Sequence, residues 1–158
     1  MNLNVHNMEN KTLVKINNIA IALGLSVLIV CINAFILNQI VPYWHIPISA
    51  KNIPLKQVIT GLTIAPLGEE LVFRLIPFKL SKFLIKDETF NNSKYYIAAL
   101  IACVFGYIHG GYYNIWIQGV VGFFFGWVYI KNGMSYWSAV ATHFLYNLMI
   151  YVVFPVII

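Results

Sequence analysis

The sequence predicts an all-α fold, a polytopic membrane bundle of about five transmembrane helices. Three observations carry this. Of 158 residues, 60% are hydrophobic and only 9% are charged, whereas a soluble domain carries about 25% charged residues. The mean hydropathy is +0.76. The apolar residues fall into five runs, and the short stretches between them hold nearly all nine lysines. The length fits a single domain, with residues 1–15 as a cytoplasmic tail and 16–158 as the membrane domain.

The tail is polar, rich in Asn, and reads as loosely ordered. The first run, Ile16 to Val41, is too long for a signal-peptide core and no small-residue cleavage pattern follows it. It is long enough to span. Pro42, Tyr43, Trp44 and Pro47 then break the helix at an interface. The second run, about Pro54 to Ile76, contains Pro66, which removes one helical hydrogen bond and frees the carbonyl of Leu62. In lipid such a break needs protein or a wet cavity to re-satisfy the carbonyl. Pro77 is expected to close this run. Residues 78–94 form a basic surface segment in which Phe78, Phe83 and Leu84 dip into the interface.

The third run is Tyr95 to Tyr107, extending to His109, and Gly110-Gly111 follows it. The fourth is Ile115 to Ile130. Gly119, Gly122 and Gly126 line one side of it, a spacing of small residues that lets another helix approach closely. Lys131-Asn132-Gly133 is a tight turn. The fifth run starts at Met134 and carries His143 and Asn147. Cys31 and Cys103 fall within apolar runs and read as small buried hydrophobes. His6 and His45 read as surface residues.

With five spans, seven lysines (11, 15, 79, 82, 86, 94 and 131) share the side of the N-terminus, and Lys51 and Lys56 share the other. The positive-inside rule therefore puts the N-terminus in the cytosol. The net charge of +5 reflects this topology and contact with anionic lipid, not nucleic-acid binding.

Inside the runs, three spans carry polar groups that lipid tolerates poorly. The second holds Glu69, Glu70 and Arg74, the only arginine. A charge at bilayer depth costs about 2.5–3.5 kcal/mol on insertion scales and marks function by default. Glu70 and Arg74 are four apart and share a helix face, so they can pair. Glu69 points about 100° away and needs a partner on another helix. The third span ends in Phe105-x-x-x-His109. The fifth has His143-x-x-x-Asn147, again on one face. No serine or cysteine is placed with them as a nucleophile, and there is no H-E-x-x-H pair. A carboxylate, two imidazoles and a carboxamide can hydrolyse a peptide bond without a covalent intermediate. The same Glu69, His109 and His143 also make a two-histidine, one-carboxylate set that can hold zinc with water as the fourth ligand, and the residues alone leave both open.

These three motifs, in this order and each on its own apolar span, resemble those of the CAAX-protease and bacteriocin-processing family, also called the Abi family, which includes the type II CAAX prenyl endopeptidases. The resemblance covers about residues 55–155, spans two to five, and implies that these form the family's four-helix core. It implies an intramembrane endopeptidase acting on a peptide or membrane protein. Glu69 would be the general base and His109 would hold the water. His143 and Asn147 would form the oxyanion site. Glu70 and Arg74 would be a structural pair, with Phe105 packed beneath. The resemblance implies no cofactor for a glutamate-type protease, with a divalent metal such as zinc as the alternative. A second reading is a non-proteolytic bacteriocin-immunity or scaffold protein, with a partner membrane protein. A transporter reading lacks the inverted repeats it would want. The Asn-, Ile- and Lys-rich composition suggests a bacterial cell membrane as the location.

Overall fold

The computed structural model describes the backbone of residues 2–40 and 54–153, with side chains within 8–32 and 54–152. The expected break at Pro42, Tyr43, Trp44 and Pro47, together with His45, Lys51 and residues 154–158, lies outside the described residues, as does the side chain of His6. Among the described residues all regular structure is helical, arranged as five rods.

The first rod is α1, Asn2–Ile40. The tail expected to be loose is therefore helical. No glycine or proline precedes Gly24, so nothing in the polar segment stops the helix. The second rod is segmented: α2 (Leu55–Leu62), α3 (Ile64–Glu70), a π turn (Leu71–Leu75) and α4 (Ile76–Leu84). It breaks at Thr63 (φ −115°, ψ −68°), three residues before Pro66, as the missing donor requires. Pro77 does not close the rod. The Ile76 N–H reaches Leu71 O, five residues back, and this widened turn leads into Pro77, which has no N–H to donate.

The third rod is α5, Asp87–Ile108. It starts at Asp87, not at Tyr95, because hydropathy marks where a helix enters lipid, not where it begins. Asp87 and Glu88 occupy its first turn, where negative charge complements the helix dipole. The fourth rod is α6 (Tyr112–Asn114), a second π turn (Ile115–Gly119) and α7 (Val120–Lys131). The fifth is α8 (Tyr136–Leu148), continued by a π turn over Met149–Val153. Ser135 caps α8, its side chain accepting from the Ser138 N–H at 3.4 Å.

By length and composition two of these helices can cross a membrane, Met8–Ile32 and Tyr112–Lys131. Tertiary contacts join the segments that carry Lys15, Lys79, Lys86 and Lys131. The Phe78 ring meets Phe90 and Tyr129 at centroid distances of 6.4 and 5.1 Å, and Asn18 donates to Asn132 at 2.8 Å. Phe78 is thus buried, not dipped into an interface. Phe83 and Leu84, on the other face of the same helix, are the exposed pair.

The glycine stripe of the fourth rod faces α5. A Cβ on Gly119 would meet Ala102 O at 2.9 Å, one on Gly122 would meet the Phe105 ring at 2.8 Å, and one on Gly126 would meet Ala98 at 3.4 Å. The contact is reciprocal, since a Cβ on Gly106 would fall 2.6–2.7 Å from backbone atoms of Asn114, Ile115 and Gly119. Small residues on both sides let α5 and the fourth rod approach to backbone contact. Cys31 and Cys103 are exposed on the protein surface as free thiols. The sequence reading failed there because an apolar residue of a membrane bundle is as well placed facing lipid as facing protein.

Candidate active site

The second rod supplies the acidic pair. The π turn that starts directly after Glu70 carries Arg74, and the two side chains meet at 3.2 Å (Arg74 Nη1 to Glu70 Oε1). Both are fully enclosed, at 1% and 0% exposure. A buried charge survives only when paired and hydrogen-bonded. Arg74 Nη2 also donates to Gly122 O at 2.7 Å, and its guanidinium lies over the Phe105 ring at 4.9 Å and the Phe125 ring at 5.7 Å. Gly122 has no side chain to hold the guanidinium away, since a Cβ there would meet Arg74 Nη2 at 3.2 Å.

Glu70 has a second task that the sequence did not reveal. Its Oε1 accepts a hydrogen bond from His143 Nδ1 at 2.8 Å. Its Oε2 is buried with no hydrogen-bond partner among the described residues. His143 is held further by a nearly parallel stack on Phe125, with centroids 4.6 Å apart and planes 25° apart.

His109 stands at the end of α5. Its Nδ1 donates to Phe105 O at 2.7 Å, and its ring lies 4.2 Å from the Phe105 ring. The chain then turns sharply through Gly110 (φ 146°) and Gly111 (φ 82°), conformations that L-residues with a Cβ rarely adopt. Asn114 ties the turn back by donating to His109 O at 2.7 Å. The Phe105 ring also meets Phe73 at 5.3 Å, so it sits among Phe73, Arg74 and both histidines.

These fixed rings aim their other nitrogens at one atom. Glu69 Oε2 lies 3.6 Å from His109 Nε2 and 3.8 Å from His143 Nε2. The Glu69 and His109 side chains remain open, at 26% and 31% exposure, while that of His143 is 5% exposed. Both separations exceed hydrogen-bond length. Because Phe105 O and Glu70 Oε1 only accept, each Nδ1 carries a proton, and in a neutral ring Nε2 presents its lone pair.

The structure brings Glu69, His109 and His143 together and sets Glu70, Arg74 and Phe105 around them. Asn147, one turn from His143, is placed differently from a free donor, since its Nδ2 donates to Gly61 O at 2.9 Å. It thereby ties the fifth rod to the broken stretch of the second, at the carbonyl one residue before the expected Leu62. Phe125 and the Gly122 carbonyl were missed. The small-residue spacing around Gly122 was the available signal, and it was read as packing alone. Tyr136, whose hydroxyl donates to Leu67 O at 2.8 Å, gave no signal.

A carboxylate between two imidazoles is a set of groups that can activate water. The family model of the type II CAAX prenyl endopeptidase Rce1-like proteins matches residues 51–149, the stretch that holds every residue of this site, and the chain belongs to that family of membrane-embedded proteases. Comparison with curated proteins and with solved structures finds no match.

Proposed function

We propose that this protein is an intramembrane endopeptidase that hydrolyses a peptide bond of a membrane-associated peptide or protein through a water activated by Glu69 and His109. The observation that carries this reading is the convergence of both Nε2 atoms on Glu69 Oε2, at 3.6 and 3.8 Å. One water can reach that oxygen and an imidazole nitrogen together. Glu69 takes its proton as the water attacks the scissile carbonyl, and the departing amine receives that proton. Protonated at Nε2, His143 donates to the developing oxyanion, and the Glu70 carboxylate on its Nδ1–H offsets the positive charge of the ring. The second N–H of the Asn147 amide is the other oxyanion donor.

Both imidazoles have an acceptor on Nδ1, the arrangement that zinc sites also use to orient their ligands. Glu70 Oε1 serves His143 as well as Arg74. The donor types of Glu69, His109 and His143 therefore suit zinc. Asn147, one helical turn from His143, is a poor zinc ligand but a good oxyanion donor, which favours a water-only reaction. The reading is tested by incubating the purified protein with membrane-reconstituted peptides and identifying products by mass spectrometry. Internal cleavage that disappears in His109→Ala supports it, and products unchanged by that substitution refute it.

A further inference from the structure

We propose that the lysine-rich end of the bundle holds a second site, a cleft that binds the phosphate headgroup of an anionic phospholipid. A cavity of about 580 Å³ lies between α1 and the α7–α8 turn. Lys11 and Lys15, one helical turn apart, line one wall, and Lys131 with Gly133 lines the other. Among the described residues the four ion pairs all involve Arg74, His109 or His143, so no carboxylate neutralises these three ammonium groups. Asn132, 5% exposed, fixes the junction by accepting from Asn18 at 2.8 Å and donating to Lys15 O at 3.3 Å. The lysine-bearing backbones are thus held in place, and only the side-chain tips need order around a ligand.

Two features select a lipid over a free anion. The cleft sits at the start of the apolar helix Met8–Ile32, the level at which headgroups lie. Val14, a lining residue, begins a stripe with Ile21, Leu25 and Leu28, which fall on one helix face and are all exposed. A phosphate among the lysines would lay its acyl chains along this stripe.

The test is native mass spectrometry of the purified protein with phosphatidylglycerol and phosphatidylcholine in competition. The unmodified protein should retain one phosphatidylglycerol in preference to phosphatidylcholine. In the combined variant Lys11→Gln, Lys15→Gln and Lys131→Gln that preference should fall at least about tenfold, since each basic side chain near an anionic surface contributes roughly a factor of five. The variant Lys79→Gln, Lys82→Gln and Lys86→Gln removes the same charge from the same end and should keep it. Equal loss in both variants, no loss in either, or displacement of the lipid by inorganic phosphate would each overturn the proposal.

Discussion

His143 Nδ1 lies 2.8 Å from Glu70 Oε1, the same oxygen that Arg74 reaches at 3.2 Å. One buried carboxylate thus joins the ion pair of the second rod to the imidazole of the fifth. Removing Arg74 should be felt in two places. Arg74→Leu leaves Glu70 buried without its countercharge, a change that typically costs about 3–5 kcal/mol. It also frees the carboxylate that orients His143. The expected result is a lower midpoint of thermal unfolding and less folded protein in detergent. A variant as stable as the parent would show that the pair does not hold the site together.

The close approach of α5 and the fourth rod makes a graded prediction. A Cβ at Gly106 meets three backbone atoms at 2.6–2.7 Å, and one at Gly126 meets only the Ala98 side chain at 3.4 Å. Backbone cannot step aside, so Gly106→Ala should destabilise at the upper end of the overpacking range, about 3 kcal/mol. Gly126→Ala, whose Cβ makes only ordinary contact, should be tolerated or stabilise by up to about 1 kcal/mol through helix propensity. Thermal unfolding of the two variants checks the order, and the reverse order would contradict the packing.

The lysine bias of the sequence predicts the sidedness, seven lysines with the N-terminus and two on the other side. In a background lacking Cys31 and Cys103, single cysteines at Lys86 and Lys56 should react with an impermeant thiol reagent from opposite sides of the membrane, Lys86→Cys from the cytosol. Labelling of both from one side would refute the five-span topology.

The catalytic reading without metal predicts that purified protein carries no stoichiometric zinc and keeps its activity after exhaustive chelation. Elemental analysis with a chelation assay measures both. One equivalent of zinc, with activity lost on chelation and regained on adding zinc, would make Glu69 a ligand instead of a base.

Much of this was legible in the residues. Apolar runs marked the bundle, the four-residue spacing of Glu70 and Arg74 marked their pairing, and three charged or polar motifs marked the spans that meet. Helix limits were less legible, because hydropathy locates lipid and not hydrogen bonding, as Asp87 at the start of α5 shows. The π turn after Glu70 leaves no clear mark in a sequence. Residue-to-residue contacts between rods were less legible. The stack of Phe125 on His143 and the bond from Asn147 to Gly61 join residues far apart in sequence, whose own neighbourhoods look like ordinary membrane helix. The two cysteines failed for a related reason, since the same apolar signal describes a lipid face and a core.

The central claim is that Glu69 is the base that activates water, and Glu69→Gln tests it most directly. Glu69 is 26% exposed and its Oε2 touches its imidazole partners only at 3.6 and 3.8 Å, so the amide should fold as the parent does. Peptide hydrolysis by the two proteins, each shown to be folded by its unfolding midpoint, is the measurement. The account predicts a loss of at least about 10²–10⁴-fold, the usual contribution of a positioned acid or base, with the midpoint unchanged. Full activity in a folded Glu69→Gln protein would contradict it.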